Sequence, residues 1–136
     1  MRSLPSLIIL ISVLTPTVIG DVFSSDLTVE EELEQAMEFD QACIIMHEVG
    51  SRYLENEEKI KKSFEASQLI EQHLESKLVE YSVLTGDEIN EVRDVVFDKG
   101  VVIFNELSKY QPRDFVYQCR NLLENIKKTD LKYQAT

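Results

Sequence analysis

Cys43 and His47 stand four residues apart, one helical turn, with Asp40 one turn earlier and Met46 adjacent. A thiolate, an imidazole and a carboxylate on one helical face are zinc donors, and Cys119, the second of two cysteines, could join them. The set does not close a tetrahedral count, and oxidised cysteines do not ligate zinc. Asp40 and His47 therefore remain a metal candidate without a complete ligand set, and no cofactor is expected. A haem held by His47 or Met46 would need a second axial ligand on a facing helix, and none is marked. The reading preferred for His47 is a histidine at the edge of an apolar seam, reaching water or bonded to a local carbonyl.

Other chemistry is less well provided for. Glu30, Glu31, Glu32, Glu34 and Glu38 form an acidic run, as do Glu57 and Glu58, but acid–base catalysis by paired carboxylates requires a pocket that separates their pKa values. Acids at the starts of helices are expected to face water. No Glu-x-x-His pair, Gly-x-Ser-x-Gly elbow, metalloprotease motif or phosphate-binding glycine loop occurs, so an enzyme is not expected. With 25 acidic against 14 basic residues, the net charge of -11 argues against nucleic acid or an anionic membrane as partner, since phosphate affinity depends on clustered Lys and Arg.

The residues before this region carry an address. Arg2, the apolar run from Leu4 to Leu14, Pro16 and the small Gly20 fit a secretory signal over residues 1–20, cleaved after Gly20. The run is too short for a membrane span of about 20 apolar residues. A short segment, 21–27, precedes a helical domain over 28–128, and 129–136 are expected to form a flexible tail. The destination is the periplasm or the extracellular space, where disulfides persist.

Four helices position the chemistry. Thr28 and Glu31 have capping-box spacing, and Leu33, Ala36, Phe39, Cys43 and Met46 follow at steps of three and four, giving a helix over about 28–49. Asn56 caps a second over about 57–82, with Ile60, Phe64, Ile70, Leu74, Leu78 and Tyr81 as its stripe. Thr85 and Glu88 repeat the box before a third, about 86–110, carrying Ile89, Val92, Val96, Ile103, Leu107 and Tyr110. Its β-branched centre, Asp94 to Phe104, also suits a hairpin, although Gly100 on the stripe favours a helix that approaches a neighbour closely or kinks there. Pro112 begins the fourth, about 112–128, with Phe115, Cys119, Leu122 and Ile126 on one face. Short connections imply an all-α, up-down-up-down four-helix bundle.

The cysteines test that arrangement. Cys43 lies about 22 Å along the first helix and Cys119 about 10 Å into the fourth, which matches their heights if the fourth begins level with the far end of the first, about 33 Å along. Both lie on apolar stripes, so a Cys43–Cys119 disulfide joining the first and last helices is expected.

The third helix is apolar around most of its circumference. Phe97, Val101 and Phe104 lie off its main stripe and are either further core or a face for a partner or ligand. The expected role is thus an exported, non-enzymatic protein-interaction or accessory binding module whose partner offers a cationic or apolar surface. The rival is a carrier of a small apolar ligand, its cavity lined by Phe64, Phe97, Phe104 and Phe115.

Overall fold

The computed structural model describes residues 27–135, with side chains through Thr129. The expected signal over 1–20 and nearly all of the 21–27 segment lie outside the described residues. Four helices follow in order: α1 (Val29–Ser51), α2 (Glu57–Thr85), α3 (Ile89–Tyr110) and α4 (Pro112–Ala135). The fold is an all-α, up-down-up-down four-helix bundle, and no strand occurs among the described residues. The segment from Asp94 to Phe104 is continuous helix, which settles the hairpin alternative.

Local chemistry sets the helix ends. Thr28 and Glu31 form the reciprocal capping box, Thr28 N–H donating to Glu31 Oε1 at 2.9 Å and Glu31 N–H to Thr28 Oγ1 at 3.1 Å. Asn56 Oδ1 accepts from the N–H groups of Glu58 and Lys59, at 2.8 and 3.2 Å. The second box is different from the expectation. Helix α2 runs on to Thr85, Gly86 takes a left-handed φ of 80° and donates its N–H to Ser82 O, and Thr85 Oγ1 accepts from Asp87 N–H. Glu88 alone caps α3, its carboxylate accepting from Glu91 N–H at 3.1 Å. The glycine acts first, because it can close the preceding helix without a Cβ clash. Helix α4 passes its expected end at 128 because no Gly or Pro follows Lys128 to stop it.

The core unites Met37, Ala42, Cys43 and Ile44 of α1 with Ile70, Leu74 and Leu78 of α2, Val92 and Val96 of α3, and Phe115, Cys119 and Ile126 of α4. Ile60 and Phe64 were expected on the α2 stripe, yet Phe64 is 60% exposed and Ile60 also faces outward. The six-residue step from Phe64 to Ile70 turns the helix to about 120° away from the core face. Ala66 and Ser67, four and three residues before Ile70, fill that face.

The middle of α1 is where the bundle closes. Cys43 and Cys119 are bonded across 5.5 Å between Cα atoms, and neither is exposed to solvent. Phe39 and Phe115, each four residues before its cysteine, meet edge to face with ring centroids 6.1 Å apart. On another side of α1, Gly100 of α3 is buried so close that a Cβ would lie 2.5 Å from Gln41 Cγ, 2.6 Å from Gln41 Cβ and 3.3 Å from the Ala42 nitrogen.

Two sets of substitutions test this arrangement in urea melts. Gly100→Ala gains about 1 kcal/mol of helix propensity but meets an overpacking penalty of about 1–3 kcal/mol, so a net loss is expected. Gly50→Ala, a helical position with nothing within 4 Å, should stabilise by about 0.5–1 kcal/mol. Equal gains at both sites would contradict the close approach. Replacing both cysteines by Ala should cost about 4 kcal/mol for a loop of this length, and an unchanged midpoint would deny the bridge its constraining role.

Candidate functional site

Asp40 faces into the bundle from α1 and is 1% exposed. Its partner is Lys77 of α2, whose Nζ donates to Asp40 Oδ2 at 3.0 Å. Burial pushes the Asp40 carboxyl from its ordinary 3.8 up to about 6, while the Lys77 charge and hydrogen bond pull it back down. The sequence did offer a signal for this pair. Lys77 lies three residues after Leu74, one before Leu78 and four before Tyr81, at the edge of the apolar stripe, where a partly buried cation needs an acid as counter-ion.

His47, two turns beyond Asp40, is half-buried. Its Nε2 is buried with no hydrogen-bond partner among the described residues. Burial lowers its pKa below the usual 6.5 and favours the neutral ring. The His47 main-chain carbonyl accepts from Ser63 Oγ at 3.0 Å, which ties the end of α1 to α2.

The four members of the metal candidate do not meet: Asp40 pairs with Lys77, Cys43 is bonded to Cys119, and His47 lies two turns from Asp40 with its Nε2 buried. Among the described residues no three of His, Cys, Asp and Glu come together to hold a metal ion.

The face expected on α3 divides. Phe104 packs against the core and stacks edge to face on Phe115 at 6.1 Å, Val101 is half-buried, and Phe97 is 50% exposed. On the other side of α3, Val95 and Val102 are similarly exposed. Phe64, Phe97, Phe104 and Phe115 do not converge on one cavity, since the first two face outward and the last two fill the core.

Beside Val95 the surface forms an open cleft of about 290 Å³ that composition alone did not mark. Tyr81 of α2 and Val92, Val95 and Val96 of α3 supply its apolar lining, and Glu34 of α1, Asp87 of the α2–α3 turn and Glu91 of α3 supply carboxylates. Six of its seven lining residues lie within 81–96, where the chain turns back at Gly86, and Glu34 of α1 joins them from a distance in sequence. Set against known proteins, the chain matches no family model, no curated protein and no solved structure.

The Asp40 carboxyl makes a signed prediction. Its folded pKa, about 6, exceeds the unfolded value near 3.8, so the folded state binds more protons between them, and stability falls as pH rises through that window. The full change is about 3 kcal/mol. His47 has the opposite sign, losing stability as pH falls below 6.5, but it is common to wild type and Asp40→Asn and cancels in their difference. Urea melts of both should show wild type losing about 2 kcal/mol relative to the variant between pH 4 and pH 7, most of the full change. A flat difference would mean that Asp40 ionises as freely in the fold as outside it.

Proposed function

We propose that this chain is an exported, non-enzymatic interaction module that engages a protein partner through α3. The observation that carries the reading is that α3, having filled the core with Val92 and Val96, still presents Val95, Phe97 and Val102 about half exposed. Val95 and Val102, seven residues apart and so on one side of the helix, lower the free energy when a partner covers them, and Phe97 adds a second contact on the opposite flank. The acidic balance of the chain supports a partner with basic groups around its apolar contact.

Export is supported by two features. The leader pattern over residues 1–20 fits a secretory signal, and a buried disulfide suits an oxidising compartment, periplasmic or extracellular. Among the described residues no helix is long and apolar enough to cross a membrane.

Affinity capture from the native compartment tests the interaction. Wild type should retain a protein that is recovered at least tenfold less by Val95→Gln/Phe97→Gln/Val102→Gln, with circular dichroism showing that the triple variant keeps its helices. Equal recovery would remove α3 as the contact. A thiol assay on the unfolded, unreduced protein from the same source should find none free, and two reactive thiols would count against an oxidising destination.

A further inference from the structure

Building on that reading of α3, we propose that the cleft between Glu34, Tyr81 and Val95 is the seat for a basic segment of the partner protein. One apolar side chain of the segment rests over Val92, Val95 and Val96, while neighbouring Lys or Arg side chains reach Glu34, Asp87 and Glu91.

The lining dictates this chemistry. Three carboxylates and no basic residue surround an apolar floor. Asp87 and Glu91 form no ion pair among the described residues. Glu34 has only a share of Lys99, whose Nζ lies 4.0 Å from it and 3.6 Å from Glu38. Asp87 follows the carbonyl end of α2 by two residues, and the last turn of α2 holds no basic residue to balance the negative helix terminus. The positive start of α3 acts in the opposite sense, but Glu88 already caps it. An arriving cation therefore enters a field that this chain compensates only in part, through Lys99 at Glu34.

The rim is preorganised. Gly86 N–H bonds to Ser82 O at 2.8 Å, Asp87 N–H bonds to Thr85 Oγ1 at 3.1 Å, and Ser82 Oγ donates to the Asp87 carbonyl. A turn held from both sides loses little freedom on binding, which preserves the interaction energy. Size selects the kind of occupant. At about 290 Å³ the cleft lies at the bottom of the range for small-molecule sites, about 300–1,000 Å³, and accommodates side chains of a docked segment better than a cofactor.

The probe is a short fluorescein-labelled peptide of alternating Lys and Leu, titrated with the full chain and read by anisotropy. Two triple variants separate the cleft from general acidity: Glu34→Gln/Asp87→Asn/Glu91→Gln in the cleft, and Glu57→Gln/Glu58→Gln/Glu65→Gln in the first turns of α2. Wild type and the α2 variant should bind alike, the cleft variant at least tenfold more weakly, and Val95→Gln at least threefold more weakly. Equal binding to both triple variants would overturn the assignment, as would equal affinity for a Lys and Ser peptide. Displacement by hexylamine without any preference for the peptide would reassign the cleft to small amines and overturn it too. A partner captured through α3 but fully retained by the cleft variant would refute the cleft and leave the interaction reading intact, whereas a partner indifferent to the α3 triple variant would remove both.

Discussion

Six consecutive residues of α1, Glu38 to Cys43, meet all three other helices, and the fold depends on that convergence. Asp40 takes Lys77 from α2, Glu38 and Gln41 take Lys99 and Gly100 from α3, and Phe39 and Cys43 take Phe115 and Cys119 from α4. These contacts differ in kind, so they constrain different things. The disulfide fixes a distance, Gly100 fixes how closely two backbones approach, and Asp40 requires a single cation in a single place. Apolar contacts alone allow repacking at similar volume, whereas a buried charge does not, and that is a reason for the Asp40–Lys77 pair to act on specificity more than on stability.

That convergence redistributes the burial anticipated for the bundle. The apolar richness of α3 suggested a helix enclosed on several sides, but α1 occupies that position, with Met37, Asp40, Ala42, Cys43 and Ile44 all buried over more than half its circumference. Helix α3 needs only Val92, Val96 and Gly100 fully against the core and keeps Phe97, Val95 and Val102 in contact with water. Its surplus of apolar residues is therefore available for a surface role.

Local signals were legible in the sequence. The Thr28–Glu31 box, the Asn56 cap and the Pro112 start involve neighbours within four residues, and the pairing of Cys43 with Cys119 followed from helix lengths and stripe positions. Features set by competition between neighbours were harder to read. Thr85 and Glu88 had the spacing of a cap, but Gly86 between them ended the preceding helix first. Phe64 counted as apolar in a stripe whose phase had slipped before Ile70, so residue type concealed the rotation. The cleft needed three helices in register, and Glu34, read as a solvated acid, gained a role only when α3 came alongside.

The bond between Cys43 and Cys119 also has a mechanical meaning. It joins residues 76 positions apart, so α2, α3 and the three connections from α1 to α4 belong to a covalent ring. Tension applied at the two ends of the chain passes through the sulfurs and bypasses the ring, leaving only the first part of α1 and the latter part of α4 to be drawn out. The α3 surface and every lining residue of the cleft except Glu34 sit inside the shielded portion. A partner holding this chain there could be pulled upon without the chain's own ends unravelling the surface that is held.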